Sequence, residues 1–250
     1  MKRFITISLA LLATSLLATR AATPEDWWMK ARLGYAIGGT APLGIPATIR
    51  SIDKFSPTAN ISMGADAGLT LKGPWGIAAS LYLANKGMDT EVTTKGYHMA
   101  LRMDDSEMEG VYTGHVRQQA TQWMMTVPVT ATCQIAEKWQ LRAGPYASLL
   151  LSRDFSGYAY DGYLRKDDPT GPKVVMGNTE GEWATYDFSD DMRRMQVGIL
   201  VGADWQIAGR WGLSTDLQWG LTGIHHSSFK TVEQTLYPIY GTIAVTYQIR

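Results

Sequence analysis

The chain has 250 residues, with 23 basic and 23 acidic side chains and a formal net charge of zero. This balance gives no support for nucleic-acid binding, which needs a basic stripe or patch. The single cysteine, Cys133, excludes an internal disulfide. Nine Trp and twelve Tyr are a rich supply of the amphipathic rings that concentrate at membrane interfaces.

The first 21 residues are typical of a secretory signal peptide. Met1–Arg3 is basic, residues 4–18 are apolar apart from Thr and Ser, and Thr19–Ala21 offers small residues around a cleavage site. The apolar run is shorter than the roughly 20 residues of a membrane-spanning helix, which favours cleavage over an uncleaved anchor. We therefore predict a signal peptide at 1–21, a short periplasmic segment at 22–28 and one domain at 29–250.

Eight segments of that domain alternate apolar and polar residues with a period of two, which is the pattern of β-strands. The alternation is clearest on both sides of Ala208–Arg210. In chain order, the predicted strands lie at about 29–38, 61–72, 75–85, 120–135, 139–152, 194–207, 211–222 and 237–250. An apolar face toward lipid and a polar face toward a lumen would give strands of this kind.

The connections between these strands alternate in length. Gly73–Pro74, Ala136–Lys138 and Ala208–Arg210 have the length of hairpin turns. The longer connections lie at about 39–60, 86–119, 153–191 and 223–236. Short periplasmic turns and long external loops are the rule in outer-membrane barrels. We therefore predict an all-β, eight-stranded antiparallel up-and-down transmembrane β-barrel. A soluble β-sandwich or a lipocalin-like barrel, with its apolar face inward, is the alternative.

Tryptophan residues mark the ends of the predicted strands. Trp75, Trp139, Trp205 and Trp211 lie beside the short turns, and Trp123 and Trp219 lie toward the long loops. Rings at two heights on the apolar face predict the two aromatic girdles of a membrane barrel. The soluble alternatives do not explain this placement.

The predicted inward face carries charged and amide side chains. An eight-stranded barrel is only wide enough for its own side chains, so charges inside it must be paired. The residues of the predicted polar network are Arg32, Asp66, Arg142, Arg194, Asp204 and Asp216. A plugged lumen follows from this arrangement, and a proton or ion path along the same charges is the alternative.

The external loops contain the candidates for chemistry. His225 and His226 precede two serines, but no motif combines a base, a nucleophile and an orienting acid, so we expect no catalytic residues and no enzyme activity. Acidic residues crowd 104–109 and 187–191 without the spacing of a calcium loop, so we expect no metal site and no cofactor. A rim enzyme, and divalent ions that bridge the loops to lipopolysaccharide, are the alternatives.

The third long connection is rich in aromatic residues, and at roughly 40 residues it is too long for a bare coil. They are Phe155, Tyr158, Tyr160, Tyr163, Trp183, Tyr186 and Phe188. Such a density indicates a packed loop structure or a partner site. The sequence therefore predicts a structural or surface-binding role through the external loops.

Two runs in the middle of the chain resemble the PorT-like outer-membrane β-barrel family of Bacteroidota. Gln122–Val129 ends in a hydrophobic-Pro-hydrophobic element, and Lys138–Tyr146 carries an aromatic residue followed by Ala-Gly-Pro-Tyr. Gln196–Ala203 and Trp219–Ile224 are similar to the family's next hairpin. The resemblance extends over about residues 29–250 and implies an outer-membrane location without one particular activity.

One type of family member takes part in protein secretion and gliding machinery. The resemblance therefore makes a subunit of an envelope secretion or transport complex the main functional alternative, and a narrow pore is a third. The implied partners are outer-membrane lipid, lipopolysaccharide, the barrel-assembly machinery and other envelope proteins, with no nucleic acid. The chain departs from such barrels at Arg250, where an aromatic residue usually ends the last strand.

Overall fold

The computed structural model describes residues 26–42, 44–58, 60–103, 106–166, 170–226 and 235–250, except for the side chain of Glu107. The predicted signal peptide and most of the predicted periplasmic segment lie outside these ranges. The strands are β1 (Trp27–Pro42), β2 (Ile49–Pro57), β3 (Ile61–Thr70), β4 (Trp75–Met103), β5 (Ser106–Ala136), β6 (Trp139–Arg165), β7 (Lys173–Met176), β8 (Ala184–Asp187), β9 (Met195–Ala208), β10 (Trp211–Gly220) and β11 (Leu236–Gln248). No helix in the described part of the chain is long and apolar enough to cross a membrane.

Antiparallel pairings join eight of these strands into a closed ring. The order around it is β1, β3, β4, β5, β6, β9, β10 and β11, and β11 pairs with β1 from Lys30↔Gln248 to Pro42↔Leu236. Each of these strands overlaps one predicted strand, which confirms the all-β antiparallel prediction. β2, β7 and β8 lie outside the ring and were not predicted.

The two faces of the ring differ as the period of two requires. The outward side chains Leu33, Val129 and Val245 are 60%, 56% and 46% exposed. Inward neighbours such as Thr130 and Ala244 are buried. An apolar face turned outward contradicts the lipocalin-like alternative, in which that face lines the interior.

Three strands are far longer than predicted. β4, β5 and β6 have 29, 31 and 27 residues, and β4 pairs with β5 as far as Met103↔Ser106. The prediction of loops at 86–119 and 153–191 was therefore wrong over most of their length. These segments remain strands because β-branched and aromatic residues, such as Val92 and Tyr112, continue to fit a pleated, half-buried surface.

Beyond the ring, these strands form what we call the sheet extension. It comprises residues 87–103, 106–120 and 153–165, with β2 paired to β4, β7 paired to β6, and β8 paired to β6 and at one position to β4. One face of the extension covers a hydrophobic core that includes Met99, Tyr112, Phe155, Leu164, Met176, Tyr186 and Phe188. The first and third predicted external connections are therefore partly ordered as strands that pack on the second.

Candidate functional site

Five strands of the ring send charged side chains to one point of the lumen. The residues are Arg32 from β1, Asp66 from β3, Arg142 from β6, Asp204 from β9 and Asp216 from β10, and each is at most 6% exposed. All five belong to the predicted network. We call this group the lumen cluster.

Asp216 connects the two arginines of the lumen cluster. Its Oδ2 accepts a hydrogen bond from Arg32 Nη2 at 2.5 Å, and its Oδ1 accepts one from Arg142 Nη2 at 2.5 Å. Tyr82 Oη accepts from Arg32 Nη1 at 2.6 Å and donates to Asp66 Oδ1 at 2.5 Å. Charge-assisted bonds of this length are the strong ones, so they hold five strands in one arrangement.

Asp204 lies on the turn side of the same cluster. Lys30 Nζ donates to Asp204 Oδ2 at 3.3 Å, and Arg142 Nη2 lies 3.6 Å from Asp204 Oδ1. Three cations, Lys30, Arg32 and Arg142, thus face three carboxylates, Asp66, Asp204 and Asp216. Buried charges persist when they are paired in this way.

The prediction that Arg194 belongs to the network was wrong. Its side chain is exposed, and β9 begins one residue later, at Met195. The main-chain carbonyl of Arg194 accepts a hydrogen bond from Leu150 N at 2.8 Å. Because residue 194 precedes the strand, the inward row of β9 starts with Gln196, which is 1% exposed.

Sequence reasoning missed Tyr82, Ser214 and Lys30. Tyr82 lies between the outward residues Leu81 and Leu83 on β4, so the alternation along the strand already placed it inward. Ser214 Oγ accepts from Arg142 Nη2 at 2.6 Å. The period of two identifies such inward positions, but it does not tell which of them lie at the same height in the lumen.

A second polar layer lies above the cluster, toward the sheet extension. Lys86 is 3% exposed; its Nζ donates to Gln218 Oε1 at 2.7 Å and lies 4.6 Å from the centroid of the Tyr240 ring. Gln122 Nε2 donates to Tyr240 Oη at 3.4 Å. Amide and aromatic groups therefore continue the packing of the lumen above the ion pairs.

Glycine makes room for the lumen cluster. A Cβ atom on Gly202 would lie 2.2 Å from Asp216 Oδ1 and 3.0 Å from Arg142 Nε. Real Cβ atoms do not approach oxygen so closely, so any larger residue at 202 would displace the carboxylate. Gly202 thus has a steric role, because a side chain at this position would need the space that Asp216 and Arg142 occupy.

All six predicted girdle residues lie on the outward face of the ring. Trp75, Trp139, Trp205, Trp211, Trp123 and Trp219 are between 36% and 56% exposed. The rings of Trp139 and Trp205 stack at a centroid distance of 5.6 Å. Trp27, at 49% exposed, joins the turn side of this set, although its position was predicted to precede the first strand.

The sheet extension divides its aromatic residues between two faces. Phe155, Tyr186 and Phe188 lie in the core. On the opposite face, which we call the aromatic face, the rings of Tyr158 and Trp183 stack at a centroid distance of 4.2 Å. Tyr160 lies beside them and hydrogen-bonds to Glu91. The predicted aromatic connection thus contributes both to the packed core and to a half-buried aromatic surface.

Charged residues surround the aromatic face. Arg117 donates to both carboxylate oxygens of Asp89, at 3.0 and 2.6 Å, and this holds the pKa of Asp89 below its usual range. Arg117 Nη1 also donates to Tyr158 Oη at 3.3 Å. Desolvation and the bond to Glu91 raise the pKa of Tyr160, so its hydroxyl remains protonated. These contacts fix the aromatic rings in place.

The two histidines of the sheet extension contact hydroxyl and acidic side chains. His115 Nδ1 lies 3.2 Å from Thr93 Oγ1 and 3.7 Å from Asp53 Oδ2, and His98 Nε2 lies 3.8 Å from Glu109 Oε1. The serines that follow His226, and acidic residues 104 and 105, lie outside the described ranges. Within those ranges, no group of three His, Cys, Asp or Glu side chains is placed to hold a metal ion.

His225 should make the loop end of the protein sensitive to acid. Burial lowers its pKa to about 4, and its ring meets Phe155 edge-on at 4.9 Å. The unfolded chain binds the proton near pH 6.5, so stability is complete above that pH and falls as the pH is lowered toward 4. Hydrogen exchange of residues 188–194 and 221–226 at pH 7 and pH 4.5, corrected for the pH dependence of intrinsic exchange, measures this loss. A His225→Phe variant should show a smaller difference, and an equal difference would contradict the assignment.

One protein family and several solved structures match this chain. The family described as outer membrane protein beta-barrel domain matches residues 21–226. The structure of Ail, the attachment invasion locus protein of Yersinia pestis, in complex with the heparin analogue sucrose octasulfate, is 9% identical; the match covers 90% of this chain and 99% of that one, with a TM-score of 0.41. The translocator domain of the autotransporter NalP from Neisseria meningitidis is 10% identical, with 98% and 95% covered and a TM-score of 0.25. No curated protein matches the chain in sequence.

Proposed function

Since the chain belongs to the outer membrane protein beta-barrel domain family, we propose that it is a non-conducting barrel that carries a binding surface outside the cell. The observation that carries this proposal is the continuity of β4, β5 and β6 from the ring into the sheet extension. Continuous strands make the extension a rigid part of the barrel, and rigid scaffolds present binding residues well. The barrel would then be the anchor, and the extension the working part.

The lumen cluster supports the absence of conduction. Its ion pairs join five strands across a bore that is only as wide as the side chains it holds. The second layer around Lys86 fills the lumen above it. An ion that crossed the barrel would have to separate the buried ion pairs of the lumen cluster and the buried hydrogen bond between Lys86 and Gln218, which is costly in a low-dielectric interior.

The aromatic face supports the binding role. It combines Tyr158, Tyr160, Trp183 and Arg117, and Tyr, Trp and Arg are the residue types that dominate the energy of protein–protein contacts. Their mutual contacts reduce the entropy that binding would cost. A protein partner is therefore the class that this surface fits. Lipid and lipopolysaccharide would surround the apolar belt, and the barrel-assembly machinery would insert it.

Current recordings in planar lipid bilayers test the closed lumen. We expect no discrete conductance steps from the refolded protein, while a porin recorded in the same bilayers conducts. Steps whose amplitude changes in an Asp216→Asn variant would identify an ion path and overturn this part of the proposal.

Cysteine labelling on intact cells tests the orientation. In a Cys133→Ala background, a membrane-impermeant maleimide should label Thr185→Cys, in the sheet extension, without cell disruption. Arg210→Cys, in a short turn, should react only after the outer membrane is permeabilised. Both positions are exposed in the folded protein, so accessibility from outside the cell is the variable. The reverse pattern would mean that the extension faces the periplasm.

Photo-crosslinking tests the binding surface. With p-benzoylphenylalanine in place of Tyr158, we expect a discrete crosslinked protein band in cells. The same amino acid at Val245, which is 46% exposed on the lipid-facing side, is the control and should give no such band. Equal patterns at the two positions would remove the aromatic face as the binding site.

A further inference from the structure

An apolar cavity of about 340 Å³ lies where the sheet extension meets the ring. Its wall on β4 is one row of alternating residues, Met88, Thr90, Val92 and Thr94. Core residues of the extension, including Val116 and Phe155, line its floor. Ligand pockets span about 300–1,000 Å³, so this cavity has the volume of a small ligand site.

The cavity opens at an interruption in the sheet. β3 pairs with β1 only as far as Tyr35↔Ile61, and the Ala36 amide donates to Asn60 O. Beyond that point no described strand pairs with this edge of β1, residues 37–42, although β2 runs nearby on the edge of β4. We call this interruption the lateral gap.

Side chains rather than backbone bonds close the lateral gap. The Thr40 amide donates to Met88 Sδ at 3.4 Å, a weak bond where a sheet would supply a carbonyl. A Cβ atom on Gly39 would lie 2.7 Å from Met88 Sδ and 3.3 Å from the Phe55 ring. A methionine side chain is flexible and adapts to what it contacts. The gap can therefore open through rotations of the Met88 and Phe55 side chains without the loss of any strand pairing.

The mouth of the cavity lies at the membrane interface. Ile239 lines the cavity and pairs in register with Trp219, one of the outward tryptophans at the loop end of the ring. Ile45, Ile52 and Phe55 also line it and are 62%, 54% and 48% exposed. Apolar side chains thus lead from the lipid-facing surface into the cavity, at the height where lipid chains meet headgroups.

We infer that the cavity binds one acyl chain of a membrane lipid, which enters sideways through the lateral gap. The apolar lining favours a hydrocarbon over a polar ligand, because a polar group in this cavity would lose its hydrogen bonds to water. The position of the mouth favours a lipid of the surrounding bilayer as the source. This site goes beyond the proposed protein-binding surface, since the aromatic face lies on the opposite side of the sheet extension.

Photolabelling in lipid nanodiscs tests this inference. The probe is a phospholipid with a diazirine at the end of one acyl chain, and mass spectrometry locates its adducts. We expect adducts on cavity residues such as Val116 and Met99, in addition to those on outward residues such as Val245. Adducts confined to outward residues would overturn the inference. Cavity adducts that form only with a diazirine fatty acid, and not with the phospholipid, would overturn the bilayer source.

Two variants fill the cavity, and one matched variant does not. Thr90→Phe and Val92→Phe place a ring in the cavity while they keep strand-forming residues on β4. The ring occupies volume that the acyl chain would need, so we expect cavity labelling to be lost in both variants. Thr121→Phe, at an exposed position of β5, should leave the labelling unchanged. Adducts that persist in both filled variants, each verified to fold by its gel mobility before and after boiling, would overturn the inference.

The result of the photolabelling experiment is independent of the results that test the proposed function. Conductance, maleimide labelling and crosslinking at position 158 do not depend on whether the cavity is occupied. A protein that fails to bind an acyl chain would still present the aromatic face, and a conducting barrel would still show cavity adducts.

Discussion

Replacement of Asp216 with alanine should lower the free energy of unfolding by about 3–5 kcal/mol, which is the cost of breaking a buried ion pair by removing one partner. Asp216 is the shared acceptor of Arg32 and Arg142, so the variant leaves two buried guanidinium groups without their closest carboxylate. Asp66 and Asp204 remain, but they lie at 3.4 Å or more from the nearest guanidinium nitrogen. The remaining carboxylates therefore compensate only in part.

The measurement is urea-dependent unfolding of the refolded protein, followed by the folded and unfolded bands on an unboiled gel. Asp190→Ala is the matched control, because Asp190 forms an exposed ion pair with Arg153 at 3.0 Å. Exposed pairs contribute about 0–1 kcal/mol, so this variant should unfold close to wild type. Equal midpoints for the two variants would show that the lumen cluster does not stabilise the ring.

Replacement of Phe155 with alanine should destabilise the sheet extension by about 3–5 kcal/mol, the usual cost of truncating a buried phenylalanine. Phe155 is 1% exposed and contacts Phe188 and His225, so it joins β6 to the segment that follows β8. The loss falls on the extension, because the pairings that close the ring lie away from this position. We therefore expect local opening above an intact ring.

Limited proteolysis of protein in native membranes measures that opening. The Phe155→Ala extension should be cut faster, while the resistant ring fragment keeps its heat-dependent gel shift. Val175→Ala is the control, since Val175 lies on β7 of the same extension and is 68% exposed. Cleavage of the ring and the extension at the same rate would mean that the two unfold as one unit.

The ring was predictable because lipid imposes a strict rule on its strands. Nearly every outward position between the girdles is apolar, so the period of two is visible at Met195–Ile207 and at Trp211–Leu221, where Thr215 is an exception. The sheet extension does not follow this rule, because one of its faces packs on its own core and the other carries polar and charged side chains. Lys95 and Gly96 interrupt the alternation on β4, and the register shifts there. Such a segment has the sequence of a loop and the pairing of a strand.

The lumen cluster was predictable in its members but not in its contacts. The alternation along each strand was enough to place Arg32, Asp66, Arg142 and Asp216 on the inward face. Their mutual height depends on the stagger between strands, which the sequence of one strand does not contain. For the same reason, the pairing of Asp216 with two arginines from distant strands was not foreseen. The prediction for Arg194 was wrong for a local reason, since the alternating pattern begins one residue before β9 does.

The closure of the ring sets the order in which this protein can fold. β1 and β11 pair with each other, although about the whole length of the domain separates them in sequence. Contacts of such high sequence separation form slowly, because the chain must first lose the entropy of closing a long loop. Until β11 arrives, β1 and β10 each have an unpaired edge, and unpaired edges promote aggregation. The polypeptide must therefore be kept from associating with other chains until its last strand has been delivered to the membrane.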